Sequence, residues 1–146
     1  MLCFGALYDG NMINISIGDK LTSVEKTITQ DQIRLYADAS GDHNPLHTDP
    51  KFASATQFGG IIAHGMMTLA FVYEMLTMTF DYDWIQTGKL KVRFKNAVRP
   101  DQKVTTWGQI TKDKMVEGHR NVECVVGLKS SLGDDIITGK ASLQLS

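Results

Sequence analysis

Between Met66 and Phe80 the chain offers hardly any polar side chain: Met66, Met67, Leu69, Ala70, Phe71, Val72, Tyr73, Met75, Leu76 and Met78 leave a helix there with almost no solvated face. Such a helix is expected to be surrounded by other elements. It falls short of the roughly 20 apolar residues that span a bilayer, so membrane insertion is not expected. What surrounds it comes later in the chain. Lys89-Leu90-Lys91-Val92-Arg93-Phe94-Lys95 alternates strictly, with the period of a half-buried strand. Val104 to Ile110, Val116 to Leu128 and Ile136 to Leu145 predict three more strands, separated by turn signals at Lys112-Asp113-Lys114 and Leu132-Gly133-Asp134-Asp135. One long apolar helix facing an antiparallel meander is an α+β layout.

The N-terminal half carries shorter elements. Ile13, Ile15 and Ile17 alternate with polar residues before Gly18-Asp19, and Leu21 to Ile28 reads as a β segment, so both predict edge strands. Thr29-Gln30-Asp31-Gln32 has the form of a capping box and starts a helix that Gly41 is suited to close. Asp49-Pro50 reads as a cap and first-turn proline of a short helix through about Ala55, ended by Gly59-Gly60 at the latest. No repeat, linker or low-complexity tract divides the 146 residues, so one domain over 1–146 is expected, with about 1–14 as a loose N-terminal segment. The hydrophobic fraction of 42%, the charged fraction of 21% and the net charge of -1 predict a soluble protein with no field for holding nucleic acid. No leader pattern opens the chain, so a cytoplasmic location is expected. Cys3 and Cys124 lack CxxC spacing, and Cys124 lies in an apolar run that predicts a buried, inert thiol.

Between the first two helices lies Ser40-Gly41-Asp42-His43-Asn44-Pro45-Leu46-His47, which Gly41 and Pro45 keep out of regular helix. A carboxylate is an anion near neutrality and an imidazole exists there in either state, so Asp42 and His47 can handle protons on one bound molecule. If both touch one water, its addition across a polarised double bond, or the reverse dehydration, becomes possible. Taken alone the pattern is weak, because an aspartate after Ser-Gly is more often a turn former bonding its own backbone. His64-Gly65 opens the apolar helix and can aim a free backbone N–H at the same place.

The segment from Tyr36 to His47, followed by Ala53, resembles the signature of the MaoC-like, or (R)-specific enoyl-CoA hydratase, family. Ile62-Ala63-His64-Gly65-Met66 is similar to that family's second motif, and Arg93-Phe94 and Val98-Arg99-Pro100-Asp101 resemble its strand and the turn after it. The resemblance implies a hot-dog fold, a curved antiparallel sheet wrapped around one long central helix and paired into a homodimer. It also implies that Asp42 and His47 are a catalytic dyad, that the Gly65 amide bonds the thioester oxygen, and that Asn44 braces the loop. The chemistry suits these residues, since charge grows on that oxygen as an enolate forms and glycine lets substrate approach the backbone. Which dyad member acts as base stays open at this level. Some members carry a serine facing the dyad where ungapped counting puts Tyr73, so its bulk, with Phe71, predicts a short or unusual acyl group.

Several residues keep two readings. His64 either orients the loop or contacts substrate, or is a hydrogen-bonded structural histidine. A metal site from His43, His47, His64 and Asp42 or Asp49 uses ordinary zinc or iron ligands, yet lacks a helical His-x-x-x-His context, and no metal or organic cofactor is expected. Lys89, Lys91, Arg93 and Lys95 share one strand face, which predicts solvent, with Lys95 and Arg99 as the positions to contact a coenzyme A phosphate or an acidic carrier protein. Asp81-Tyr82-Asp83-Trp84 predicts either a lip over an acyl tunnel or a plug in the core. Met66, Met67, Met75 and Met78 are expected as core fillers, and His119 as solvated. The function these features predict is (R)-specific hydration of a trans-2-enoyl thioester, on coenzyme A or acyl carrier protein. The alternatives are a thioesterase of the same fold or a non-catalytic acyl-thioester-binding subunit.

Overall fold

The computed structural model describes residues 13–146, so the expected loose segment and Cys3 fall almost wholly outside the described residues. The elements run β1 (Glu25–Thr27), α1 (Gln30–Ser40), α2 (Pro50–Ser54), α3 (Gly65–Thr87), β2 (Lys89–Phe94), β3 (Lys103–Val116), β4 (His119–Ser130) and β5 (Asp135–Leu145). The strands pair antiparallel in the order β1-β3-β4-β5-β2. The sheet wraps α3, which packs against β3, β4 and β5. This is the hot-dog arrangement, in the α+β class.

The core forms because the two periods meet. Val104, Thr106 and Ile110 of β3, Val122, Cys124, Val126 and Leu128 of β4, and Ile137, Ala141 and Leu143 of β5 turn inward at every second position. They enclose Leu69, Val72, Met75, Leu76 and Phe80 of α3. Each such side chain contributes about 1.5–3 kcal/mol by leaving water. Gly108 is required for the closest approach, since a Cβ there would lie 2.6 Å from a Leu21 methyl and 3.2 Å from the Met75 terminal methyl. A register shift between Ile110 and Lys112 marks a bulge in β3 where the strand can bend around the helix.

The ends of α1 and α2 form as their residues dictate. Thr29 Oγ1 accepts from the Gln32 amide at 3.2 Å and Gln32 accepts from the Thr29 amide at 2.9 Å, while Gly41 closes α1 in the left-handed region at φ 76°. Asp49 accepts from the amides of Lys51 and Phe52 at 2.9 and 3.1 Å and caps α2.

Four expectations require correction. Ile13 to Ile17 forms no strand, and its carbonyls at Ile13 and Ile15 are held by the Arg120 guanidinium instead. In the Leu21–Ile28 segment only β1 is a regular strand, although Leu21 and Val24 still bond β3 through Gly108 and Thr106 and, with Ile28, are buried as the alternation implied. Lys112-Asp113-Lys114 is not a turn, because β3 continues through it to Val116 and reverses at Glu117-Gly118, both with positive φ. Finally, α3 is not fully surrounded. Met66 and Met78 are each 60% exposed and Tyr73 is 46% exposed, so of the expected core methionines only Met67 and Met75 are buried. The helix also runs past Phe80 after a break at Asp81 (φ 46°, ψ -126°), a conformation costing about 1–3 kcal/mol for a non-glycine residue. The break turns Trp84 into the core, where it is buried, so it is a plug and not a lip.

Candidate active site

The loop that follows α1 is fixed mainly by its own side chains. The Asp42 carboxylate accepts from the Asn44 amide at 3.3 Å, Asn44 Oδ1 accepts from the Leu46 amide at 3.0 Å, and the His47 amide donates to the Asn44 carbonyl at 3.0 Å. Asn44 therefore braces the loop, and the turn-forming role of Asp42 is present alongside any chemical one. Gln30 adds a tie from α1, donating to the His47 carbonyl at 3.0 Å. The second segment, Ile62 to Gly65, is anchored by the Ala63 amide on the Val98 carbonyl at 2.7 Å.

Two buried imidazoles join these segments. His47 Nδ1 lies 2.7 Å from the Ile62 carbonyl and His64 Nε2 lies 2.9 Å from the Asp42 carbonyl. A carbonyl only accepts, so each of these nitrogens carries the hydrogen, and that assigns the tautomers. In the neutral ring, His47 Nε2 is thereby the nitrogen that keeps its lone pair. His64 Nδ1 is buried with no hydrogen-bond partner among the described residues. The two rings stack with centroids 3.8 Å apart, and Tyr36 closes on His64 at 4.8 Å.

One ligand-type atom from each of Asp42, His47 and His64 lies within 4.8 Å of the other two, with Asp42 exposed and both histidines buried. The set is one that binds divalent cations, whose donors in a tetrahedral site stand about 3.4 Å apart. Of the other metal candidates, His43 is an exposed neighbour of Asp38 at 3.9 Å and Asp49 is engaged in capping α2.

Gly65 is the first residue of α3, a 23-residue helix whose N-cap, His64, makes no side-chain capping bond. The first amides of a helix have no intrahelical acceptor, and Gly65 is exposed. Its N–H can therefore donate to an outside oxygen, with the helix dipole behind it. The ring of Phe94 stands beside it, with its nearest carbon 3.3 Å from where a Gly65 Cβ would be.

Tyr73 and Arg99 stand elsewhere. The Tyr73 ring packs on Trp84 at 5.6 Å and makes no hydrogen bond to the loop among the described residues. Arg99 donates to the Phe58 carbonyl and lies 3.2 Å from where a Cβ on Gly60 would be, pinning the segment between α2 and α3. The ties through the carbonyls of Ile62 and Val98 have no side-chain signature and so were invisible in the sequence. Cys124 is buried and its thiol is pushed up to about 12 by desolvation, which leaves it inert. His119 is solvated as expected.

The MaoC like domain matches residues 14–131. This chain belongs to that family. Among relatives of known name, the 3-hydroxyacyl-thioester dehydratase Z of Mycobacterium tuberculosis is 47% identical over 72 residues, covering 47% of this chain and 48% of that protein. The chain thus spans about half the length of the relatives of that name that it matches. Among solved structures, the (R)-hydratase from A. caviae involved in PHA biosynthesis superposes with a TM-score of 0.77 at 24% identity, covering 90% of this chain and 98% of that one. A chain of the ChsH1-ChsH2 complex from Mycobacterium tuberculosis superposes with a TM-score of 0.74 at 19% identity, again over 90% and 98%. The structural likenesses show the hot-dog fold. No helix among the described residues is long and apolar enough to cross a membrane.

Proposed function

We propose that this MaoC-like domain reversibly adds water to a trans-2-enoyl thioester, giving a 3-hydroxyacyl thioester of (R) configuration, with no metal or organic cofactor. The observation that carries this reading is the tautomer of His47. With Nδ1–H on the Ile62 carbonyl, Nε2 of the neutral ring is the nitrogen free to accept, and a ring nitrogen of His47 lies within 4.8 Å of an Asp42 carboxylate oxygen. A water between them is oriented by the carboxylate and loses a proton to Nε2 as its oxygen bonds the β-carbon. The π electrons move onto the thioester, whose oxygen takes the Gly65 N–H, and the enolate then recovers the proton from the imidazolium at its α-carbon. One water is consumed and both protein groups return to their starting states. Asp42, His47 and Gly65 are the groups that touch reacting atoms, and Asn44 and His64 hold the loop that presents them.

The substrate is proposed as a coenzyme A or carrier-protein thioester, supported by the printed names of the relatives. Tyr73 and Arg99 remain proposed substrate contacts. A homodimer is supported by the open edge of β2 and by the exposed Met66, Tyr73 and Met78 of α3, surfaces that a second copy would cover. A cytoplasmic setting is proposed as well; among the described residues Cys124 is a free, buried thiol, which a reducing compartment would keep so.

Crotonyl-CoA tests the reading. Loss of enoyl absorbance without thiol release is the expected result, and thiol release would mean a thioesterase. Asp42→Asn and His47→Gln are each expected to lower kcat by about 10²- to 10⁴-fold while retaining ligand binding. Unchanged turnover in both variants would remove the mechanism, and binding without any turnover in the wild type would mean a non-catalytic subunit.

A further inference from the structure

Phe94 is a large ring left half in solvent at the end of β2, 50% exposed although its register opposite Ile137 puts it in phase with the partly buried Leu90 and Val92. Three of its ring carbons lie 3.3, 3.5 and 3.7 Å from the place a Cβ on Gly65 would occupy. The ring therefore flanks the glycine whose amide faces outward. Both sides of this contact are tied to the scaffold. Lys95 donates to the Ile136 carbonyl at 2.8 Å directly after the ring, and Ala63 donates to the Val98 carbonyl at 2.7 Å directly before the His64-Gly65 step.

We infer that Phe94 is a specificity-determining wall that admits acyl thioesters unsubstituted at the α-carbon and excludes those branched there. The inference rests on the hydratase reading for where the thioester lies. A carbonyl oxygen on the Gly65 amide puts the carbonyl carbon beside Gly65 Cα. Since Asp42 and His47 must act on the α- and β-carbons, the acyl side runs from Gly65 toward them. The α-carbon then passes the ring edge at van der Waals distance, where a hydrogen fits and a methyl group does not. A carbon at the place of a Gly65 Cβ would already stand 3.3 Å from the ring, tighter than ordinary van der Waals contact, so anything bulkier than hydrogen there requires the ring to give way.

The experiment compares crotonyl-CoA with 2-methylcrotonyl-CoA in wild type, Phe94→Leu and Phe94→Ala. Discrimination in kcat/KM is expected to fall by about 10- to 200-fold in Phe94→Ala, the range associated with one methyl group in an apolar pocket, with Phe94→Leu between. If the ring instead lines the thiol side, both substrates change together and the ratio stays within twofold in all three proteins, which overturns the proposal. A binding arm separates this outcome from failure of the hydratase reading. The ratio of Kd for butyryl-CoA and 2-methylbutyryl-CoA needs no turnover and should shift in the same direction. A shifted binding ratio in a protein that does not hydrate crotonyl-CoA keeps the wall and removes the hydratase, whereas failure of wild type to bind either ligand removes both. Thermal melts followed by circular dichroism confirm folding, and Phe94→Leu carries the test if Phe94→Ala does not fold.

Discussion

The two ends of α3 are finished in opposite ways. At its C-terminus the Gly88 amide donates to the Trp84 carbonyl at 2.9 Å, and the Thr87 hydroxyl donates to the Asp83 carbonyl at 2.8 Å while accepting from the Gln144 amide at 2.9 Å. The Asp83 carboxylate in turn holds the amide of Ser146 at 3.2 Å. At its N-terminus no side chain caps the helix, and the His64 imidazole is spent on the Asp42 carbonyl instead. Both shorter helices carry side-chain caps, Thr29 and Asp49. A cap is worth about 1 kcal/mol, so among the described helices α3 alone forgoes it, at the start where His64 sits against the Asp42 carbonyl and the His47 ring. The contrast separates an end built for cohesion from an end left open for a ligand.

The comparison breaks first at the cohesive end. Phe80 is 1% exposed and sits at the break before Trp84, so Phe80→Ala should cost about 3–5 kcal/mol in urea unfolding. A loss near that of a surface substitution would deny the C-terminal half its structural role. Gly65→Pro probes the open end. Proline is suited to the first helical turn, and His64 at φ -60°, ψ 135° already has the extended geometry a preceding residue needs. Removal of the N–H should therefore lower kcat by about 10²- to 10³-fold below Gly65→Ala, the control that adds the same Cβ 3.3 Å from the Phe94 ring but keeps the amide hydrogen. Activity close to wild type would show that this amide carries no developing charge.

Smaller effects sharpen the contrast. Thr29→Ala, at a helix start whose cap serves stability alone, should cost about 0.5–2 kcal/mol by the same urea measurement and leave kcat untouched. The smallest effect concerns Asp113, far from the site. Its carboxyl is held below the ordinary value of 3.8 by the Arg120 hydrogen bonds, and burial only partly opposes this. A carboxyl lowered in the folded state contributes its full stability above the unfolded value and loses it as pH falls through the folded one. Wild type and Asp113→Asn should therefore differ most near neutrality and converge in stability as pH falls past the ordinary carboxyl value of 3.8 and through the lower folded one. An unchanged gap through that acid range would mean that the Arg120 pair contributes nothing through its charge.

Much of this was legible in the chain because it is local. The capping box at Thr29, the left-handed Gly41, the Asp49-Pro50 start and the alternation of Lys89 to Phe94 each depend on residues a few positions apart, and each appears as read. The errors arose where distant contacts overrode the local pattern. The charged Lys112-Asp113-Lys114 reads as a turn, but Glu123 pairs with Lys112 at 2.9 Å and Arg120 clasps Asp113 at 2.7 Å, which holds the segment in the sheet. The apolar Met66, Tyr73 and Met78 suggested a helix buried on all sides, yet a single copy of this sheet covers only one face of it.

The site divides along the same line. Residue order alone determined which groups are available: a carboxylate and an imidazole on a short non-helical loop, and a glycine opening a long apolar helix, because glycine, proline and caps act through adjacent backbone angles. Tertiary structure alone decided what those groups are to one another. It set the tautomer of His47 through the carbonyl of Ile62, turned His64 from a candidate ligand into a latch on Asp42, and laid Phe94 against Gly65. Each of these is a contact between segments that only the folding of the sheet around α3 brings within hydrogen-bond or van der Waals range.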